Sequence, residues 1–309
     1  MALGYDKDLY LLAFDHRSAF AKSLFGISGR DPTAEEAEGI SRCKRIIFEG
    51  LALAVDEGAP RDAAGLLVDE QYGADIAREG AERGLVVAMP AEKSGQDEFQ
   101  FEYGDGFGAH IEEFDAAFVK VLVRYNPDGD GDLNRRQTER LAVLSEWLSE
   151  RGRKFLFELL VPAEAAQLES VGGDSDRYDR ELRPRLMVEA IRELQEGGVE
   201  PDVWKIEGLD SREDCRRIAD VARSDGRDGV VCVVLGRGAN DEAVAHWLRQ
   251  GASVPGYIGF AIGRTIWNDA LRALLDGAIE RDDAVRRIAD KYRHMIDVYD
   301  RARSTPVNR

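Results

Sequence analysis

Residues 202–208 read DVWKIEG. Val203, Trp204 and Ile206 are strand formers bracketed by Pro201 and Gly208, so the run predicts a short strand. Lys205 stands at its centre, although lysine is a poor strand residue and is rarely buried without a partner. Seven further runs of this kind occur: LYLLAFD (9–15), AGLLVDE (64–70), GLVVAMP (84–90), FVKVLVRY (118–125), KFLFELLVP (154–162), VVCVVLG (230–236) and YIGFAIG (257–263). All are nearly continuously apolar rather than alternating, as expected of strands covered on both faces.

Amphipathic helical patterns separate them at 33–58, 72–83, 134–151, 179–197, 211–225 and 240–250, and a long one follows Arg264 to about Arg303. Thr33 and Glu36 have capping-box spacing, and Ser211 precedes two acids that suit a helix N-terminus. Strand–helix alternation repeated eight times predicts an α/β fold, a (β/α)8 TIM barrel in a single domain over residues 1–309. A doubly wound open sheet is the alternative, but it calls for a glycine-rich phosphate turn after an early strand, and AFDHRSAF (13–20) is not one. A long polar insert, residues 91–117, follows the third strand, and a short polar tail, STPVNR (304–309), ends the chain.

The net charge is −17. That argues against nucleic acid as a partner, because phosphate backbones are met by basic faces, and any cationic cluster must be local. Cys43, Cys215 and Cys232 are odd in number and widely spaced, the usage of reduced, buried thiols. The N-terminus has no signal-peptide layout and there is no apolar run of membrane-spanning length, so no membrane partner and a cytoplasmic location are expected.

In a barrel, polar residues at the C-terminal ends of strands are the catalytic candidates. Strand one ends in Asp15-His16-Arg17, strand two in Asp69-Glu70, and strand three leads to Glu92-Lys93. Strand four contains Lys120, strand five Glu158, and strand six Lys205 and Glu207. A lone Lys or Glu in a strand is ordinarily half of a structural ion pair. Convergence changes that reading: Lys120, Glu158 and Lys205 lie on consecutive strands and can share one small cavity. A lysine desolvated beside another cation loses basicity, and a neutral amine is what Schiff-base formation with a ketone requires. Lys205 is therefore expected to form the imine, with Glu158 shuttling protons and Asp15 orienting a substrate hydroxyl or taking its proton. Gly236-Arg237-Gly238 and Gly263-Arg264 follow strands seven and eight, where barrels bind phosphate, so a phosphorylated carbonyl substrate is expected. Glu92, Lys93, His16 and Arg17 complete the candidate substrate contacts.

With Asp on strand one, Lys on four, Glu on five and Lys on six, the sequence resembles barrel-type class I aldolases. It is similar to the tagatose-bisphosphate and sulfofructose-phosphate branch, which shares an EK-S/T-G feature, here Glu92-Lys93-Ser94-Gly95. It most resembles the domain fused to the C-terminus of bacterial 5-dehydro-2-deoxygluconokinases of inositol catabolism. The blocks that carry this likeness are LLAFDHRSAF, VDEQYG, MPAEKSGQDEFQFEYGDGFGAHIEEFD, FVKVLVRYNPDGD, FELLVP, VWKIEG, VLGRGA and GFAIGRTIW, between residues 11 and 267. The resemblance implies aldol cleavage of 2-deoxy-5-keto-gluconate 6-phosphate to dihydroxyacetone phosphate and malonate semialdehyde, with no cofactor. Residues 1–309 are accounted for by the barrel, so no kinase part is expected within them.

Competing readings are a zinc-dependent aldolase, which would need convergent histidines from among His16, His110, His246 and His294, and magnesium held by Asp69, Glu70 and Glu207. The expectation is no metal. A non-catalytic sugar-phosphate-binding barrel is the alternative outside enzymology. HWLRQ (246–250) and MIDVYD (295–300) leave room for a homo-oligomer contact.

Overall fold

The computed structural model describes residues 2–304. The strands are β1 (Leu9–Ala13), β2 (Ala64–Leu67), β3 (Val86–Pro90), β4 (Phe118–Arg124), β5 (Lys154–Leu160), β6 (Val203–Glu207), β7 (Val231–Leu235) and β8 (Tyr257–Ile262). Each pairs in parallel with the next, and β1 pairs with β8, closing the expected (β/α)8 barrel. The helices are α1 (Ser18–Phe25), α2 (Ala34–Asp56), α3 (Glu70–Glu82), α4 (Phe107–Phe114), α5 (Gly131–Glu150), α6 (Ala165–Ser170), α7 (Ser175–Glu181), α8 (Arg183–Glu196), α9 (Arg212–Ala222), α10 (Asp241–Ala252), α11 (Arg264–Leu275) and α12 (Arg281–Ser304). No helix among the described residues is long and apolar enough to cross a membrane.

Side chains alternate across each strand, so residues two apart share a face. On β4, Val119, Val121 and Val123 pack against the helices while Phe118 points into the barrel. On β6, Trp204 and Ile206 face outward and Val203 inward. Leu9, Leu11, Leu67, Ala88, Leu156, Val203 and Val233 join Phe118 in a dry inner plug. The next inward positions toward the C-terminal mouth are Lys120, Glu158 and Lys205. Glu158 stands beside Lys205 in the β5–β6 register, and Leu122 is opposite Glu158. Parity thus places both amines above the apolar plug.

Several helical boundaries differ from expectation. The pattern from Arg264 to Arg303 is two helices, because the chain turns at Gly277, whose φ of +70° is easy only for glycine. The pattern at 179–197 is likewise divided, with Pro184 in the first turn of α8. The insert 91–117 is not wholly irregular: a bridge joins Glu92 to Phe101, and α4 follows a single 3-10 turn at Gly104–Gly106. Of the expected polar tail, Ser304 ends α12 and residues 305–309 lie outside the described residues.

Asp69, a candidate for catalysis or magnesium, is structural. It is fully buried, caps α3 by accepting from the Tyr72 N–H at 3.0 Å, and pairs with the fully buried Lys44 of α2. Lys44 also donates to the His16 carbonyl at 3.1 Å, so one amine ties α2 to the ends of β1 and β2. Removing one partner strands a buried charge, at a cost of about 3–5 kcal/mol. Lys44→Met should lower the urea-unfolding free energy by about that amount, and Lys44→Met with Asp69→Asn should recover part of it.

Candidate active site

A cavity of about 580 Å³ opens at the C-terminal mouth of the barrel. Lys205 Nζ lies 2.8 Å from Glu158 Oε2, and Lys120 Nζ lies 3.1 Å from the same oxygen. Lys120 also donates to Asp15 Oδ2 at 2.8 Å and to Glu92 Oε1 at 2.6 Å. Both lysines are 1% exposed. The sequence led us to expect two ammonium groups around one carboxylate; instead Lys120 is ringed by three. Glu92 accordingly sits on Lys120 through Oε1 while lining the same cavity.

This ring sets the protonation states. Burial works against the Lys120 charge, but Asp15, Glu158 and Glu92 outweigh it and hold the amine well above its ordinary value. Burial alone would raise Asp15 and Glu158, but Lys120 overrules it and both lie below the usual carboxylate range. Glu92 goes the other way: burial raises it, Asp15 adds to the rise, and Lys120 only partly compensates. His16 has Nδ1 3.9 Å from Asp15 Oδ1, and burial pushes its imidazole down to about 4, so it is neutral near pH 7.

The loops after β7 and β8 form the opposite wall. Gly238 has φ +72°, and a Cβ there would lie 2.7 Å from the Arg264 guanidinium. A Cβ on Gly263 would strike the Ala13 carbonyl at 2.3 Å. Both glycines line the cavity, whereas Gly236 packs against Ile262 and Thr265 behind it. Arg264 opens α11, whose first turn has no side-chain cap and no acid, and its guanidinium donates to the Arg237 carbonyl at 2.9 Å. No carboxylate pairs with it among the described residues. Arg237, expected to be equally available, is not: it pairs with Asp179 and with Glu207 at 2.9 Å, and has φ +52°, a strained value for a non-glycine residue.

Other candidates separate in the same way. Arg17 is buried, donating to Glu102 at 2.8 Å and to the Glu92 carbonyl, so it braces the insert at the cavity edge. Lys93 lines the mouth, exposed and without a side-chain partner among the described residues. Glu207 pairs with Arg183 at 2.9 Å and accepts from the Val161 N–H. Glu70 faces His110 of α4 at 3.4 Å and accepts from Tyr103. His246 is at the surface against the Asp210 carbonyl, and His294 lies on α12. No group of three metal-binding side chains occurs among the described residues. Arg124 was missed by sequence reading. It lines the cavity and bonds to the Gln96 carbonyl at 2.8 Å, and its signal was its parity with Lys120 and Leu122.

The family described as "Uncharacterized protein conserved in bacteria (DUF2090)" matches residues 4–303. The chain belongs to that family. It is also similar to tagatose 1,6-diphosphate aldolase 2 of Streptococcus pyogenes serotype M1, with 25% identity over 211 residues, 66% of this chain and 59% of that relative's length. Among solved structures, its fold resembles fructose-bisphosphate aldolase from Plasmodium falciparum, with TM-score 0.67, 11% identity, and coverage of 97% of this chain and 92% of that one. It also resembles a Schiff-base-forming fructose-1,6-bisphosphate aldolase, with TM-score 0.56, 15% identity and 94% of each chain covered.

The depressed Asp15 gives a pH test. Because its folded value lies below the ordinary 3.8, its stabilisation is present above 3.8 and is lost only as pH falls through the folded value. Asp15→Asn should lower the urea midpoint at pH 7, keep that deficit to about pH 5, and lose it in stronger acid.

Proposed function

We propose that this protein is a class I aldolase that cleaves a phosphorylated keto sugar or sugar acid through a Schiff base on Lys205. The observation that carries this reading is the shared oxygen: Glu158 Oε2 contacts Lys205 at 2.8 Å and Lys120 at 3.1 Å, with both amines buried. Lys120, held as a cation, neutralises the carboxylates and cannot itself be the nucleophile. Among the described residues Lys205 pairs with one carboxylate, Glu158, which is placed to exchange a proton with it.

In this reading the Lys205 amine adds to the substrate ketone to give a carbinolamine, and Glu158 delivers the proton with which water leaves. The resulting iminium draws in the electron pair of the bond between the α and β carbons as the β-hydroxyl loses its proton. The aldehyde departs and an enamine remains on Lys205. Glu158, reprotonated from solvent, gives a proton to the α carbon, and water hydrolyses the iminium, releasing a ketone phosphate and the free amine. General acid–base help of this kind is worth about 10²–10⁴ in rate. The phosphate is assigned to the Gly238, Gly263 and Arg264 wall, where the uncapped N-terminus of α11 and an unneutralised guanidinium converge. Arg237 serves that wall through its carbonyl, which seats Arg264.

The likeness to tagatose 1,6-diphosphate aldolase supports the reaction type. The finer reading is 2-deoxy-5-keto-gluconate 6-phosphate, cleaved to dihydroxyacetone phosphate and malonate semialdehyde in cytoplasmic inositol catabolism. It rests on the sequence blocks given above, and the expectation of a homo-oligomer rests on HWLRQ (246–250) and MIDVYD (295–300).

Incubation with dihydroxyacetone phosphate and borohydride should add the reduced adduct's mass to the peptide carrying VWKIEG, and Lys205→Ala should abolish the label. Labelling at Lys120 reverses the assignment of the imine-forming lysine, and no label in the unaltered protein overturns the reading and leaves a non-catalytic barrel. Arg264→Ala removes charge-assisted bonds worth about 1.5–3 kcal/mol, so steady-state kinetics should show KM raised about 10- to 150-fold.

A further inference from the structure

Aldol cleavage moves protons at two places on the substrate: at the imine nitrogen with its α carbon, and at the β-hydroxyl that becomes the aldehyde. Glu158 serves the first, because its Oε2 is bonded to Lys205. The second needs another base near Lys120. Two carboxylates are available there, Asp15 and Glu92, and they are not equivalent.

Asp15 has Oδ2 fixed on Lys120 at 2.8 Å and Oδ1 turned toward His16 at 3.9 Å. Glu92 has Oε1 on Lys120 at 2.6 Å, while its Oε2 is buried with no partner among the described residues. The side chain lines the cavity. A buried carboxyl oxygen left unpaired is costly, and a ligand hydroxyl placed against it removes that cost. The backbone beneath is fixed: Glu92 bridges Phe101, and its carbonyl accepts from Arg17, which also grips Glu102. The acid–base character agrees. Asp15 is held well below the ordinary range and is a weak base, whereas burial and the neighbouring Asp15 charge lift Glu92, making it the stronger base.

Resting on the Schiff-base reading of Lys205, we infer that Glu92 is the catalytic base for the β-hydroxyl in cleavage and the acid for the aldehyde oxygen in condensation. The hydroxyl proton passes to Glu92 Oε2 and the oxygen's electron pair forms the carbonyl. The bond between the α and β carbons breaks, and its pair enters the iminium to give the enamine. No redox partner is involved, Lys120 stays protonated throughout, and Glu92 returns to a carboxylate by giving its proton to solvent once the aldehyde has left. The assignment moves to Glu92 the proton transfer that the sequence had offered to Asp15.

Glu92→Gln separates this role from a merely structural one. Three readouts are taken: borohydride labelling with dihydroxyacetone phosphate, exchange of its α-hydrogen in deuterium oxide, and condensation with whichever of malonate semialdehyde and glyceraldehyde 3-phosphate the unaltered protein accepts. Labelling and exchange use only Lys205 and Glu158, so they should stay within a few-fold of the unaltered protein. Condensation should fall about 10²–10⁴-fold. Glu92→Asp keeps a charge on Lys120 but withdraws the carboxyl by one methylene, and should give the same split in a variant whose melting matches the parent. Condensation near the parent rate overturns the inference. So does a parallel loss of labelling, exchange and condensation, which would mean that Glu92 acts only by holding Lys120. A parent protein that neither labels nor exchanges instead removes the Schiff-base reading, and this inference with it.

Discussion

One buried ammonium organises the mouth of this barrel. Lys120 gathers Asp15 from the end of β1, Glu92 from the loop after β3 and Glu158 from β5, all within 3.1 Å of its Nζ. Three dry carboxylates this close would otherwise repel one another and take up protons. With the cation fixed between them, Asp15 and Glu158 are held below the ordinary carboxylate range, while burial and the Asp15 charge lift Glu92 above its own. Lys205 then meets a carboxylate already shared and held in place, so the geometry of the second amine depends on the first. Strand parity makes this possible, since it stacks the ionic layer directly on a plug of Leu, Val and Phe that excludes water from below.

The parts of this arrangement carried by strands were legible in the sequence. A strand's two-residue period fixes which face a side chain takes, so Lys120, Glu158 and Lys205 could be placed in one cavity from spacing alone, and Arg124 could have been. Residues on loops carry no such period. Glu92 follows Pro90 by two residues, and nothing in its spacing says that the chain folds back at Phe101 to aim it at Lys120. The engagement of Arg237 was equally hidden, because Asp179 comes from α7, nearly sixty positions earlier. Helix α1 was missed because its eight residues, with no capping side chain, are too few to display a period. The division between α11 and α12 did have a signal in Asp276-Gly277, masked by apolar residues on both sides.

The electrostatics of the cavity run against those of the chain. With a net charge of −17, the molecule as a whole repels anions, and the acids that create this charge pair with many of its arginines. Lys93, Arg124 and Arg264 line the cavity and pair with no carboxylate among the described residues. Their attraction is short-ranged in salt, about 8 Å at physiological ionic strength, so selection for an anionic ligand acts at the mouth and not during approach.

Glu92 is attached differently from its neighbours. The two lysines and Glu158 are built into the barrel wall, but Glu92 stands at the root of the 91–117 insert and is braced by Arg17 and the bridge to Phe101. On the mechanism proposed above, the half of the site assigned to the imine is therefore carried by strands, while the half assigned to the departing aldehyde is carried by a loop. On that mechanism, a descendant that lengthened, shortened or exchanged this one segment would keep the strand-borne lysines and Glu158 and renegotiate only its aldehyde. That modular seam gives the scaffold a short mutational path between substrates.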